Sequence, residues 1–271
     1  MTTKKIKVVC SGSGIRYPVH AGALKAILER GHEIEAICGV SGGAIVSACV
    51  ATGYSPTEDI EDIIMSIIPS ETKMLDPSIK APFTWGIYNG DRLERTFEIL
   101  FPKTFSDTLI PLYVGTVNLN RWEHKVFSST ETPDMSIAKA VRASMGIPGV
   151  FKPVKIEGDL HVDGGVMANF PLSIFGTGED VLGLRVMTNQ QAEEAHEIDN
   201  IFQYGSAILR SMMAASSKEH IEQAIFARTI PLLSDTPTGN LKANKEAMQA
   251  MFDSGYRQAT EWLLREEQKK R

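Results

Sequence analysis

The stretch that most constrains the fold runs from Ile37 to Gly43 and reads Ile-Cys-Gly-Val-Ser-Gly-Gly. It places G-x-S-x-G, centred on Ser41, between an apolar strand and the small apolar residues 43–52. A strand, a sharp turn and a helix in this order form a nucleophile elbow, which needs small residues such as Gly39 and Gly43 on both sides of the serine. The helix dipole beside the serine favours negative charge. This context predicts that Ser41 is a nucleophile, against the alternative of a glycine-rich turn with a capping serine.

Strands and helices alternate from the first residues, which predicts an α/β layer structure. The first strands are expected at Ile6–Cys10 and Ile34–Cys38, with a helix over Pro18–Arg30 between them. Further strands are predicted at 112–117, 122–127, 154–156, 160–163 and 181–186, and further helices at 55–68, 91–100, 136–143, 199–223 and 243–268.

The domain organisation follows from what the chain lacks. It shows no linker, internal repeat or low-complexity segment, and 271 residues can bury a substantial core. We expect a single domain over 1–271, with the motifs within about 5–190 and a helical C-terminal part at 199–271, separated internally by an apolar run at 225–233.

A glycine-rich loop follows the first strand and reads Ser11-Gly12-Ser13-Gly14. A serine nucleophile needs a positioned base and hydrogen-bond donors for the oxyanion that forms when it attacks an ester. Backbone N–H groups of a loop before a helix can face an anion, so Gly12, Ser13 and Gly14 are candidate oxyanion-hole residues. A dinucleotide-binding loop is the competing interpretation, but Tyr17 stands where the third glycine would be.

The third feature is Asp163-Gly164-Gly165 at the end of a predicted strand. Because the next two residues are glycines, the carboxylate lies at a sheet edge with no bulky side chain directly after it. Alone, the triplet would indicate a turn with an Asx cap. Together with the elbow, it makes Asp163 a candidate base for Ser41.

The histidines are alternative candidates for the base, because a serine–histidine–aspartate triad requires one. His161 and Asp163 share a strand face about 7 Å apart, so we expect His161 to lie short of the serine. His196 and His220 come after the aspartate, which gives the order Ser…Asp…His of an α/β-hydrolase. That fold has several strands before its nucleophile elbow, whereas only two strands precede the elbow at Ser41.

These features, in this order, resemble the patatin-like phospholipase family. The matching stretches are Ser11–Arg16, His20–Gly22, Gly39–Gly43, Ala143–Phe151 (Ala-Ser-x-x-Ile-Pro-x-x-Phe), Asp163–Gly165 and Asn169–Pro171 (Asn-x-Pro), which together span roughly residues 5–190.

The resemblance implies a three-layer α/β fold, with a central, mostly parallel sheet covered by helices on both faces. It also implies hydrolysis of lipid acyl esters by a dyad: Ser41 attacks the carbonyl, Asp163 accepts its proton directly, and an acyl-enzyme forms. Backbone N–H groups of Gly12, Ser13 and Gly14 would hold the oxyanion, and no metal or cofactor is implied.

The sequence departs from the family pattern in two places. Ser13 stands where glycine is usual, so donation from its backbone requires a φ that serine tolerates. Tyr17 and Pro18 stand where the family has small residues, and Tyr17 would narrow the acyl entrance or change the loop. Both departures bear on rate and substrate class more than on the chemistry.

The composition limits the classes of binding partner and the compartment that can be expected. The net charge of −5 argues against nucleic-acid binding on a broad basic surface. The three cysteines, Cys10, Cys38 and Cys49, lie in apolar stretches, so we expect buried reduced thiols and a reducing compartment. No apolar run approaches the roughly 18 residues of a membrane-spanning helix. We therefore expect a cytoplasmic protein whose partner is a lipid or acyl ester, with peripheral membrane contact and oligomeric state left open.

The segment 69–90 is long and irregular, with Phe83, Trp85 and Ile87 among prolines and glycines. Its length and exposed aromatics favour a lid or a membrane-contact loop, against ordinary packing over the site. Two other functions remain alternatives: acyl transfer to an acceptor other than water, and a catalytically weak module that binds lipid or protein.

Overall fold

The computed structural model describes residues 4–55, 59–67, 75–78, 85–101, 103–176, 178–188, 228–237, 240 and 243–269, together with 198–199 and part of 204–216. The strands are β1 (Lys5–Cys10), β2 (Glu33–Val40), β3 (Gly86–Tyr88), β4 (Leu112–Asn118), β5 (Glu123–Ser128), β6 (Gly149–Phe151), β7 (Val154–Ile156), β8 (Asp159–Asp163), β9 (Val181–Thr188) and β10 (Arg228–Ser234). The helices are α1 (Tyr17–Glu29), α2 (Gly42–Ala51), α3 (Ile60–Ser66), α4 (Asp91–Leu100), α5 (Ile137–Ser144), α6 (Gly165–Ala168) and α7 (Lys245–Lys269).

Eight of these strands form the central sheet, in the order β10-β9-β1-β2-β4-β8-β7, with β5 paired to β4 outside this path. The pairs from β10 to β4 are parallel, whereas β5, β8 and β7 join in antiparallel fashion. The short strands β3 and β6 form a separate parallel pair. The mostly parallel α/β sheet predicted from the sequence is confirmed.

The two faces of the sheet are covered unequally. Side chains alternate along β1, so that Ile6 and Val8 enter the large core formed with α1, α2, α5 and α7, while Val9 enters a smaller core on the opposite face. That smaller core contains Phe170 and Leu172, which follow α6, and Leu172 begins a short 3₁₀ helix over Leu172–Phe175. Helical segments therefore flank the sheet on both faces, as expected.

The C-terminal part of the chain differs from the helical interpretation of 199–271. The apolar run at 225–233 contains β10, which pairs in parallel with β9 from Arg228 to Ser234. The described residues between 204 and 216 are helical, and the remainder of the predicted helix 199–223 lies outside the described residues. Pairing with the apolar strand β9 stabilises this run more than an isolated helical turn would. The periodicity of the run itself does not show that such a partner strand is present.

Helix α7 packs directly on α1, where two glycines let the backbones touch. A Cβ built on Gly22 would lie 2.8 Å from the backbone nitrogen of Tyr256, and one built on Gly255 would lie 2.8 Å from the carbonyl carbon of Val19. Real Cβ atoms do not approach backbone this closely, so both positions need glycine. The glycine of the His-Ala-Gly motif thus serves helix packing.

Other predictions can be compared directly. The helix predicted at 55–68 is described only as α3, and residues 56–58 and 68 lie outside the described part of the chain. All three cysteines are free and buried, as expected. Among the described residues, none of the helices is both long and apolar enough to cross a bilayer.

Segment 69–90 is only partly described, and Phe83 lies outside the described residues. The segment includes β3, which was not predicted, because three residues are too few to show a periodic pattern. Trp85, just before this strand, and Ile87, within it, are both exposed. The interpretation of the segment as a lid or membrane-contact loop remains a prediction.

Candidate active site

The sheet register brings the two candidate catalytic residues together. Strand β2 runs parallel to β4 and ends with Val40 opposite Gly115. Strand β8 runs antiparallel to β4 and ends with Asp163 opposite Thr116, the next residue of β4. The carboxyl ends of β2 and β8 therefore converge on adjacent positions of one strand, and Ser41 follows Val40 directly.

Ser41 and Asp163 are joined by a short hydrogen bond. The Ser41 hydroxyl donates to Oδ2 of Asp163 at 2.6 Å, and both side chains are buried. Ser41 has φ +52° and ψ −127°, a backbone conformation that L-residues rarely adopt. The strained turn points the hydroxyl toward β8, as a nucleophile elbow requires.

Burial controls the charge of Asp163. Removal from water raises the pKa of its carboxyl from the ordinary 3.8 to about 6, while hydrogen bonds from the Ser41 hydroxyl and the Gly165 N–H oppose that rise. The Gly165 N–H donates to Oδ1 at 2.8 Å, and the Asp163 N–H donates to the carbonyl of Gly146 at 3.0 Å. Asp163 is therefore held rigidly and is ionised at neutral pH, so it can accept a proton.

The glycines of the elbow and of Asp-Gly-Gly are required by close packing. A Cβ on Gly39 would lie 2.5 Å from the Gly43 carbonyl oxygen, and one on Gly43 would lie 2.5 Å from the carbonyl oxygens of Cys10 and Ser11. A Cβ on Gly164 would press on the carbonyl group of Gly115, which neighbours Thr116 opposite Asp163. The motif glycines thus let α2 and the residues after β8 approach the strand ends.

Ser144, at the end of α5, is a site residue that the sequence did not reveal. Its buried hydroxyl accepts the backbone N–H of Ser41 at 2.8 Å and donates to the carbonyl of Gly115 at 2.6 Å. It belongs to the Ala-Ser-x-x-Ile-Pro-x-x-Phe stretch, but nothing in that local pattern indicates what its side chain contacts.

The loop at 11–14 lies against the elbow, and the structure corrects one expected donor. The Gly12 N–H donates to the carbonyl of Asn169 at 2.9 Å, so it is already committed and cannot serve an oxyanion in this conformation. The N–H groups of Ser13 and Gly14 have no acceptor among the described residues. Ser13 has φ −141°, which any residue tolerates, whereas Gly14 has φ +56°, which favours glycine.

Two buried side chains hold this loop in place. Burial lowers the pKa of His20 to about 4, so its ring is neutral, and Nε2 donates to the Ser11 carbonyl at 2.9 Å. Nε2 must carry the proton, because a carbonyl oxygen only accepts. Arg16 donates to the Ser13 carbonyl at 3.2 Å and to the Thr188 hydroxyl at 2.8 Å, which ties the loop to β9 and brings a positive charge next to it.

Two residues singled out from the sequence lie away from the dyad's hydrogen bond. His161 pairs with Asn118 in the sheet, and its Nδ1 lies 3.1 Å from the Thr116 hydroxyl. Tyr17 is the second of these residues. It is buried in the large core, and its hydroxyl donates to the Ile67 carbonyl at 2.8 Å. A tyrosine at the first turn of α1 reaches the core because that turn faces α3.

Described residues between 204 and 216 lie against the Asp-Gly-Gly and Asn-x-Pro stretches beside the buried dyad. The Asn169 N–H donates to the hydroxyl of Ser216 at 3.0 Å. A Cβ on Gly165 would lie 2.7 Å from the Asn169 side-chain oxygen and 2.8 Å from the terminal methyl of Met213. The neighbouring Met212 is exposed.

Comparisons with known proteins agree with this geometry. The family model described as patatin-like phospholipase matches residues 8–175. Uncharacterized protein R571 of Acanthamoeba polyphaga mimivirus is 30% identical, over 97% of this chain and 97% of R571. The "probable lipid hydrolase 463L" of Invertebrate iridescent virus 6 is 26% identical, over 62% of each chain.

A solved structure shows the same fold. The crystal structure of VipD from Legionella pneumophila superposes with a TM-score of 0.57 at 17% sequence identity, covering 96% of this chain and 66% of VipD. The matched family region, 8–175, contains Ser41, Asp163 and the loop at 11–14.

Proposed function

The chain belongs to the patatin-like phospholipase family, and we propose that it is a serine acyl-ester hydrolase that cleaves phospholipids or related lipids through Ser41 and Asp163. Membership of this family supports hydrolysis of a lipid ester. The bond lengths, burial and charge around Ser41 support the particular assignment of the dyad. The observation that carries it is the 2.6 Å hydrogen bond between the Ser41 hydroxyl and the Asp163 carboxylate.

In the proposed first half-reaction, the Ser41 oxygen attacks the acyl carbonyl carbon while Asp163 takes the hydroxyl proton. The carbonyl oxygen becomes an oxyanion and is stabilised by the N–H groups of Ser13 and Gly14, which have no acceptor among the described residues. The tetrahedral intermediate then collapses. The ester C–O bond breaks, the departing alcohol takes the proton from Asp163, and the acyl group remains on Ser41.

In the second half-reaction, Asp163 accepts a proton from water as the water oxygen attacks the acyl carbonyl. Collapse of this second intermediate breaks the bond to the Ser41 oxygen, which recovers its proton from Asp163. The fatty acid leaves and the dyad returns to its starting state. A direct serine–aspartate contact fits this role because no imidazole stands between the two groups.

The decisive experiment combines active-site labelling with a lipid panel. Wild-type protein, Ser41→Ala, Asp163→Asn and the surface control Ser66→Ala are incubated with an alkyl fluorophosphonate and, separately, with phosphatidylcholine, lysophosphatidylcholine and a p-nitrophenyl acyl ester. We expect the first two variants to lose labelling and fatty-acid release by about 10⁴-fold or more, and Ser66→Ala to keep both. Equal release by wild type and Ser41→Ala would overturn the proposal.

The same assay separates the alternatives. Acyl transfer would appear as labelling of Ser41 together with a new acylated product when an acceptor alcohol is added, at the expense of free fatty acid. A binding module would leave folded wild-type protein unlabelled.

A further inference from the structure

The side chain of Ser13 is an unexplained feature of the site. It is 1% exposed, and its hydroxyl has no hydrogen-bond partner among the described residues. Ser13 stands at the N-cap position of the helical turn Gly14–Arg16, where a serine usually accepts a backbone N–H, yet its side chain makes no such bond. A buried hydroxyl without a partner destabilises the fold, so its presence calls for a reason other than stability.

The position of this hydroxyl relates it to the dyad. The point at which a Cβ would be built on Gly42, the residue directly after Ser41, lies 2.5 Å from Ser13 Oγ and 3.2 Å from the Gly14 nitrogen. The hydroxyl and the Gly14 nitrogen therefore both lie beside the N-terminus of α2. A Cβ built on Gly12, the residue before Ser13, would lie 3.5 Å from the Ser41 Cβ, so the loop lies directly against the proposed nucleophile.

We propose that the Ser13 hydroxyl is a third donor of the oxyanion hole, beside the N–H groups of Ser13 and Gly14. This inference rests on the proposed function, because it requires an acyl-ester substrate attacked by Ser41. When the carbonyl oxygen gains its charge, the hydroxyl hydrogen turns toward it and forms the bond that it lacks in the resting enzyme. No covalent bond to Ser13 forms or breaks.

Two physical arguments support this role. A hydroxyl can rotate about its Cβ–Oγ bond, so it can donate to an acceptor that exists only during the reaction. A donor that is unpaired in the ground state and paired in the transition state lowers the activation free energy, because the whole free energy of its hydrogen bond is gained only in the transition state. The effect is strengthened because the group is buried and water does not compete for it.

The test uses Ser13→Ala and Ser13→Gly, with Ser47→Ala as a control that removes another buried hydroxyl, from within α2. The readouts are kcat and KM for a short p-nitrophenyl ester, the inhibition constant of an alkyl trifluoromethyl ketone, and the melting temperature. The ketone captures the Ser41 oxygen as a hemiketal whose oxyanion occupies the same hole.

We expect both Ser13 variants to lose about 10- to 100-fold in kcat, at or below the effect of deleting one oxyanion-hole donor, with KM changed by less than about 2-fold. Their affinity for the ketone should fall by the same factor as kcat/KM. Their melting temperature should stay the same or rise, because an unsatisfied buried hydroxyl has been removed. Ser47→Ala should keep its kcat.

Several results would overturn the inference. Undiminished kcat in Ser13→Ala and Ser13→Gly, with Ser41→Ala inactive, would reject the hydroxyl donor and leave the proposed function standing. A loss of kcat accompanied by a lower melting temperature in both variants would show that Ser13 only supports the loop. Full activity of Ser41→Ala would reject the proposed function and the role of Ser13 with it.

Discussion

The backbone N–H of Ser41 donates to the hydroxyl of Ser144, 2.8 Å away, on a helix 103 residues further along the chain. The same hydroxyl donates to Gly115, whose neighbour Thr116 lies opposite Asp163 in the sheet. The buried Ser144 side chain therefore links the strained backbone of the proposed nucleophile to β4, the strand that pairs with the proposed base.

Replacing Ser144 with alanine should impair both stability and activity. The substitution leaves the buried Ser41 N–H without its acceptor and removes one donor from the Gly115 carbonyl, which costs about 1–3 kcal/mol in the free energy of unfolding. Because Ser41 would also shift, kcat should fall by about 10- to 100-fold. Urea denaturation and steady-state kinetics measure the two effects.

Ser136→Ala is the matched control for this prediction. Ser136 caps the same helix by accepting the Lys139 N–H at 3.3 Å, and its loss should cost about 1 kcal/mol without changing kcat. Equal kcat in the two variants would mean that Ser144 does not position the nucleophile.

The pH dependence of kcat/KM should show a single acidic limb near pH 6. Asp163 must be ionised to accept the Ser41 proton, and burial raises its pKa to about 6. Activity should rise through this pH and then level off, when measured with an uncharged ester substrate. A limb near 4, as for an exposed carboxyl, would contradict the assignment of Asp163 as the base.

Asp163→Asn should make the protein more stable at neutral pH. The folded state raises the pKa of Asp163 above its unfolded value, so the unfolded state ionises first and wild-type stability falls as pH rises from about 4 to about 6. An asparagine does not ionise, so above about pH 6 the variant should gain on the order of 3 kcal/mol. Below about pH 4 the gain should vanish, and urea denaturation at both pH values would show whether it does.

Gly43→Ala should disrupt the elbow. The added Cβ would lie 2.5 Å from two carbonyl oxygens of the β1 end, and backbone cannot move away cheaply. We expect the free energy of unfolding to fall by about 3 kcal/mol or more, and we expect the enzymatic activity to be lost as well. Gly205→Ala is the control, because its Cβ would meet none of the described residues within 4 Å. Similar stability of the two variants would show that the elbow tolerates a side chain.

His161→Asn should keep most of the activity. The histidine contacts the Thr116 hydroxyl and packs 5.4 Å from the Phe127 ring, and burial lowers its pKa. These contacts are structural, so kcat should change by less than about 3-fold, whereas Asp163→Asn should abolish turnover. A loss as large as that of Asp163→Asn would revive a histidine base.

Much of the site follows from local sequence. The strand–turn–helix around Ser41 and the small residues beside it can be read from a few consecutive residues, because an elbow is a local structure with a local steric requirement. The α/β class follows in the same way from alternating strand and helix patterns. The strand β10 and the hydroxyl contacts of Ser144 were not visible, because neither depends on neighbours in sequence.

The sequence alone therefore determined which residue types are present for the chemistry: a serine on a tight turn, an aspartate before two glycines and a glycine-rich loop. Only the tertiary structure decided that they meet. Ser41 reaches Asp163 because β2 runs parallel and β8 antiparallel to β4, so that their carboxyl ends converge at Gly115 and Thr116. The direction and register of a strand depend on hydrogen bonds between distant segments, which no local pattern specifies.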